Sequence, residues 1–350
     1  LSIKTFTYYN PFRLESGVIL PQFNLAYTTH GELNAQRDNV VWVFHALTAN
    51  SDPVEWWPGL VGEGKLFDPS KYFIVCVNMP GSCYGSIGPL DVNAYTQEPY
   101  FHEFPFFTPR DMIRAYQPLR EFLGVNSIYI GIGGSMGGQQ LLEWAVEEPD
   151  LFEFIFPIAT NAQHSPWGIA FNASQRLCIE ADATWKGKNA NAGIEGMKVA
   201  RSVALISYRH YDAYSQSQHD DQIGQIQNFK SESYQRYQGE KLAKRFNAFS
   251  YYKLSQSMDS HNVGRGRGSI EKALKLIEAK TLTIGIETDI LFPLVEQQLI
   301  AENVRGASYK TIHSSFGHDG FLLEYGSIGH LINEFIHAKK ISARKFATIN

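Results

Sequence analysis

The sequence predicts an α/β fold, a mostly parallel, doubly wound sheet carrying a helical lid insertion. Three observations point there. Apolar runs rich in β-branched residues lie at 39–45, 72–78, 127–133, 152–160 and 281–288, and such near-continuous runs suit a parallel sheet covered on both faces. Helical patterns such as DMIRAYQPLREFLG and QQLLEWAVEE fall between them, the alternation expected of βαβ units. The alternation stops near residue 161 and resumes near 281; the intervening stretch is polar, aromatic and helical in pattern. The expected organisation is a core domain over 1–162 and 280–350, interrupted by a helical lid insertion over 163–279.

Composition narrows the function classes. The 350 residues are 44% hydrophobic and 19% charged, ordinary for a globular protein. No apolar run approaches the roughly 20 residues a membrane-spanning helix needs. The opening LSIKTFTYYN lacks the continuous apolar core of a signal peptide. A net charge of −4 argues against a general nucleic-acid binder, which carries a basic surplus. The three cysteines, Cys76, Cys83 and Cys178, include no C-x-x-C pair, as expected of reduced thiols in a reducing compartment. No His/Cys cluster has ligand spacing for a metal.

Taken along the chain, the run NVVWVFH (39–45) reads as the first buried strand and is followed by the loop HALTAN. GLVGEGKL at 59–66 nearly spells a phosphate-binding loop, with Gly59, Gly64 and Lys65 correctly spaced. Leu66 stands where a magnesium-binding hydroxyl is needed, and no strand precedes it. YFIVCVN (72–78) reads as a second buried strand with Cys76 as a core thiol.

The stretch GIGGSMGGQQ follows the strand SIYIGIG and precedes a helix. It places five glycines around Ser135. A nucleophile that must project from a sharp strand-to-helix turn brings neighbouring backbone very close, so the residues two before and two after it must be small. Gly133-Gly134-Ser135-Met136-Gly137 meets that demand. The competing dinucleotide reading needs G-x-G-x-x-G; counted from Gly131, its third glycine would fall on Met136.

A serine needs a base, and the base a carboxylate to orient it, in the chain order Ser, acid, His. The run TLTIGIET ends beside Asp289, with Glu287 as rival. SYKTIHSSFGHDGF offers His318 on a glycine-bounded loop, with His313 as rival inside the apparent strand. Oxyanion donors are expected from the N–H groups of Met136 and of Leu47 in HALTAN. In the insertion, Asn172-Ala-Ser174 spells a glycosylation acceptor that the cysteine usage argues against, and NVGRGRGS at 262–269 reads as an inter-helix loop.

Beyond these local signals, HALTAN, WWPGLVGEGK, NMPGSCYGSIGP, GGSMGGQQLLEWA, AFNASQR, SYQRYQGEKLAKRFNAFSYYKLSQSMD, VGRGRG and GHDGFLLE together resemble the homoserine O-acetyltransferase family of the α/β-hydrolase superfamily, across nearly the whole chain. Ala49-Asn50 stands where typical members have a glycine after HALT. Met79, Pro80 and Ser82 depart from the usual NVLGGCYGS, next to the expected pocket.

The resemblance implies a ping-pong acyl transfer: Ser135 takes an acetyl group from acetyl-CoA, and L-homoserine, deprotonated by His318, accepts it while Asp289 steadies the histidine. It implies no metal and no permanently bound cofactor; acetyl-CoA is a co-substrate. It carries substrate binding onto Arg176 of the QR motif, for the homoserine carboxylate, and onto Asp319, for its ammonium, and assigns no CoA-binding residue. It implies a cytoplasmic homodimer joined through the helical insertion, acting in methionine biosynthesis. Alternatives are a succinyl donor or a serine acceptor in the same pocket, a serine carboxylesterase or thioesterase, and a catalytically inactive binding protein of this fold.

Overall fold

The computed structural model describes residues 2–347. Its centre is an eight-stranded sheet of β1 (Lys4–Tyr8), β2 (Phe23–His30), β3 (Val40–Phe44), β4 (Phe73–Val77), β5 (Ile128–Gly134), β6 (Phe152–Ile158), β7 (Lys280–Ile286) and β8 (Ser308–Ile312). The spatial order is β1-β2-β4-β3-β5-β6-β7-β8. The two N-terminal strands pair antiparallel, β1 on β2 and β2 on β4; the remaining pairs are parallel. The five apolar runs form β3 to β7, each end within about two residues of its expected place.

Both faces of the sheet are covered, which is why these strands are apolar without alternation. In β3, Val40, Trp42 and Phe44 face one layer, and Val41 and Val43 the other, as the two-residue period of a strand requires. On the first face Trp42 meets Trp144 edge-on at 5.1 Å. Trp144 belongs to α2 (Met136–Glu147), which lies beside α1 (Pro109–Phe122). Helix α1 starts at a capping box: Thr108 accepts from the Asp111 N–H, and Asp111 accepts from the Thr108 N–H, so two otherwise unpaired donors are satisfied reciprocally. On the other face Phe154 and Phe156 pack edge-on against Phe335 of the C-terminal helix.

Between β6 and β7 the chain forms α3 (Pro166–Glu180), α4 (Ile194–Tyr208), α5 (Tyr211–Ser217), α6 (Lys230–Ala243) and α7 (Ala248–Asp259). Two helical patterns that look continuous in the sequence are broken by caps. His210 accepts from the Asp212 N–H at the start of α5, and Asn247 accepts from the Ser250 N–H at the start of α7. The segment leaves and rejoins the sheet side by side: the His164 N–H donates to the His261 carbonyl and the Val263 N–H to the Ala162 carbonyl, both at 3.0 Å.

The GRGRG loop follows this neck, and its arginines are structural. Arg265 binds Glu15 at 2.6 Å, and Arg267 binds Glu143 at 2.7 Å and Glu147 at 2.5 Å. Asn172 is buried and donates to Asp259, so the fold withdraws it from any glycosylating enzyme. The GLVGEGKL stretch is a loop pinned by the Val61–Phe67 bridge and opens no helix. Among the described residues no helix is long and apolar enough to cross a membrane.

Candidate active site

Ser135 sits between β5 and α2 with φ 55° and ψ −127°, a region that costs a non-glycine residue roughly 1–3 kcal/mol. The turn is held from several sides. The Ser135 N–H donates to the Ile158 carbonyl, and its own carbonyl accepts from Thr160 Oγ1 at 2.7 Å. The flanking glycines are required by contact. A Cβ on Gly133 would lie 2.6 Å from the Gly137 backbone, and one on Gly137 would lie 2.1 Å from the Phe44 carbonyl oxygen.

Asp289 and His318, which follow β7 and β8, meet at 2.7 Å between Oδ2 and Nδ1. The other carboxylate oxygen of Asp289 accepts from the N–H groups of Leu291 and Phe292 at 2.8 and 2.9 Å, which fixes the group before it reaches the ring. The imidazole lies between Phe292 at 5.1 Å and Phe321 at 5.2 Å. With Nδ1 engaged, Nε2 remains for chemistry. Ser135 and His318 line one pocket of about 330 Å³. Among the described residues Ser135 Oγ makes no hydrogen bond to the ring; such contacts commonly tighten only around substrate.

Leu47 lines the same pocket, and Met136 is the first residue of α2. The Met136 N–H therefore has no acceptor within its helix, and the Leu47 N–H takes none among the described residues. Both are free to meet a developing negative charge. The rival candidates pair with each other instead. His313 Nδ1 and Glu287 Oε2 are 3.2 Å apart on the surface, with side chains 71% and 47% exposed. His313 lies just past the end of β8 rather than inside it.

The expectation for Arg176 needs correction. Its guanidinium is held by Asp259 at 2.7 Å and by Ser255 at 3.0 Å, and it does not line the Ser135 pocket. Two arginines do, Arg201 of α4 and Arg245; Tyr208, seven residues after Arg201, lines it as well, the spacing that returns a helix to the same face. Asp319 also lines the pocket and is ion-paired to Arg209 at 2.7 Å. Lys241 in the last turn of α6 and Arg245 just beyond its end complete the basic side of the wall. Arg201 and Tyr208 lie in no motif, and Lys241 and Arg245 lie within SYQRYQGEKLAKRFNAFSYYKLSQSMD, which assigns them no role. The seven-residue repeat of Arg201 and Tyr208 and the four-residue spacing of Lys241 and Arg245 are the signals that could have singled them out. Among the described residues no group of three or more His, Cys, Asp or Glu could hold a metal, and the three cysteines are unpaired.

A serine on a strained strand-to-helix turn, followed in chain order by an aspartate–histidine pair at the ends of later parallel strands, defines the class: an enzyme of the α/β hydrolase fold. Residues 39–325 match the family model for that fold. Solved structures agree. The homoserine O-acetyltransferase of Bacillus anthracis superposes with a TM-score of 0.87 at 23% identity, covering 95% of this chain and 97% of that one. An acetylester hydrolase of Corynebacterium glutamicum superposes with a TM-score of 0.85 at 23% identity, covering 96% of each. The fold is thus shared by proteins named for transfer and for hydrolysis. Sequence separates them: homoserine O-acetyltransferase of Cyclobacterium marinum is 49% identical over 322 residues, 92% of each chain. The chain belongs to the homoserine O-acetyltransferase family.

Proposed function

We propose that the chain transfers an acetyl group from acetyl-CoA to the hydroxyl of L-homoserine, through an acyl-serine, in methionine biosynthesis. Ser135 Oγ attacks the thioester carbonyl carbon while His318 Nε2 takes its proton. The N–H groups of Leu47 and Met136 receive the charge on the carbonyl oxygen. The C–S bond breaks, and the CoA sulfur leaves with the proton from His318. Homoserine then enters; its hydroxyl gives a proton to His318 and attacks the acyl-serine carbon. The Ser135 Oγ–acyl bond breaks, and the proton returns to Oγ. Asp289 holds the ring in the tautomer that presents Nε2 and stabilises the imidazolium. No cofactor stays bound through the cycle.

The observation that carries this reading is the charge arrangement around Ser135: Arg201 and Asp319 line the same pocket as Ser135 and His318. A planar guanidinium suits the carboxylate of a zwitterionic amino acid, and a carboxylate suits its ammonium. Holding the acceptor this way supplies the effective concentration by which a hydroxyl outcompetes water, about 10⁵–10⁸ M for a well-oriented group. The helical segment over 163–279 acts as the lid of a core formed by 1–162 and 280–350. Exposed Val199, Ile206 and Tyr211 on α4 and α5 support its use as the contact of a homodimer, and the unpaired cysteines fit a cytoplasmic protein.

The test follows thiol release from acetyl-CoA and from succinyl-CoA, each with and without L-homoserine or L-serine, for the wild type and Ser135→Ala. Release from acetyl-CoA that depends on homoserine, lost in the variant, supports the proposal. Release without any acceptor would make water the acceptor and the protein a thioesterase. Dependence on succinyl-CoA or serine would reassign donor or acceptor.

A further inference from the structure

We propose that Lys241 and Arg245 form a phosphate-binding rim at the mouth of the Ser135 pocket, which recognises the phosphorylated nucleotide end of the acyl donor. This inference rests on the acyltransferase reading and assigns to the donor a subsite separate from that of the acceptor.

Many of the chain's arginines are held by carboxylates. Arg110, Arg120, Arg176, Arg209, Arg265 and Arg267 each lie within 3.0 Å of a carboxylate oxygen. Arg201, Lys241 and Arg245 have no such partner among the described residues, yet all three line one pocket in a chain of net charge −4. The pocket's carboxylates do not balance them. Asp319 is paired with Arg209, so Glu55 alone, with one negative charge, is set against the three cations. A concave site with a surplus of one sign focuses its field on a ligand of the other, and a surplus of this size calls for a ligand with more than one negative charge.

The three cations sit at two depths. Arg201 is half-buried, with its guanidinium 5.4 Å from the Tyr208 ring, and Tyr208 itself lies 5.8 Å from the His318 ring. That depth suits the small acceptor. Lys241 and Arg245 are exposed and lie four residues apart across the C-terminal end of α6. Arg245 Nη1 donates to the Thr48 carbonyl and to the Tyr84 hydroxyl. This anchors the guanidinium over the entrance, while Nε and Nη2 make no bond among the described residues. A fixed guanidinium offers a fork for phosphate oxygens, and a neighbouring lysine adds a mobile point charge. A thioester reaching Ser135 through this mouth would leave the phosphates of its carrier at the rim.

The test compares acetyl-CoA with S-acetyl-pantetheine, which carries the same thioester and no phosphate, using homoserine as acceptor. The readout is the ratio of kcat/KM for the two donors in the wild type, Lys241→Glu, Arg245→Ala and Arg245→Lys. Loss of one charge-assisted contact corresponds to about tenfold. Lys241→Glu is therefore expected to lower the ratio by about tenfold or more, mainly through the KM for acetyl-CoA, and to flatten the salt dependence of that KM. Arg245→Lys should keep more of the ratio than Arg245→Ala. Both donors acylate the same Ser135, so a partly unfolded variant loses both activities together and keeps its ratio. A ratio unaltered in Lys241→Glu and in Arg245→Ala overturns the rim. If the wild type transfers acetyl from neither donor to homoserine, the acyltransferase reading itself fails.

Discussion

Replacing His45 by leucine would isolate the device that aims the Leu47 N–H. His45 is 1% exposed; its Nδ1 lies 2.9 Å from the Ala46 carbonyl oxygen and its Nε2 accepts from the Met79 N–H at 3.0 Å. The Ala46 oxygen also accepts from the Ala49 N–H at 3.0 Å. In a planar trans peptide the carbonyl of Ala46 and the N–H of Leu47 point in opposite directions, so holding the oxygen holds the donor. Burial pushes His45 down to about 4, so the ring is neutral near pH 7, with a donor at one nitrogen and an acceptor at the other. Leucine removes one of two bonds on the Ala46 oxygen, about 1 kcal/mol, and leaves the buried Met79 N–H without an acceptor, about 1–3 kcal/mol. The expected loss of stability is about 2–4 kcal/mol, read by denaturant unfolding. The Ala49 bond survives. The loss in kcat should therefore be near tenfold, below the roughly 10²–10³ of a missing oxyanion donor. Rapid-quench thiol release would show it in acylation, with the KM for homoserine little altered. His45→Asn, whose amide nitrogen can stand near Nδ1, should recover part of the rate. A folded His45→Leu enzyme with an acylation rate within about twofold of wild type would refute the reasoning.

Two further outcomes follow from the geometry. Arg201→Ala should raise the KM for homoserine by about tenfold or more, whereas Arg176→Ala should lower thermal stability by unpairing half-buried Asp259 and leave the KM for homoserine near wild type; the reverse pattern would return the acceptor to Arg176. Acid should destabilise the fold. Burial lowers His45 and His164 to about 4 and His261 to about 3. Their contribution is thus complete above the unfolded value near 6.5 and is lost as pH falls towards the folded values. Burial raises Glu296 to about 7, so between about 4.5 and 7 it holds a proton in the fold that the unfolded chain has released, and it opposes the histidines. Near pH 5 the unfolded chain therefore binds about two more protons, and stability should fall by about 3 kcal/mol per pH unit. A flat unfolding free energy between pH 6.5 and 4.5 would show that these histidines are protonated in the fold.

What the sequence revealed and what it hid divide along physical lines. The turn at Ser135 is legible because its constraint is local: backbone meets backbone, and only Gly133 and Gly137 fit. Strands β3 to β7 are legible because burial on both faces removes polar residues from them. β1 and β2 escape notice because Thr5, Thr7, Asn24, Thr28 and Thr29 interrupt the apolar pattern on strands that cap the sheet's antiparallel edge. The wall of the pocket is less legible than its floor. Which arginine faces Ser135 depends on how α4 and α7 pack over the sheet, and Arg176 is drawn away by Asp259 of α7 while Arg201 turns inward. A motif supplies an arginine; only packing decides what it faces. Likewise the capping side chains of His210 and Asn247, rather than any loss of helical pattern, divide the long helices.

The backbone at Ser135 sets catalytic competence against thermodynamic preference within one residue. Glycine would occupy φ 55°, ψ −127° without the steric penalty that serine bears there, so drift towards greater stability leads directly to loss of the proposed nucleophile. A library screened only for thermal tolerance would therefore be expected to enrich Ser135→Gly and return well-folded, inert proteins. Selection for turnover must be applied together with selection for stability, because at this position the two rank the same substitutions in opposite order.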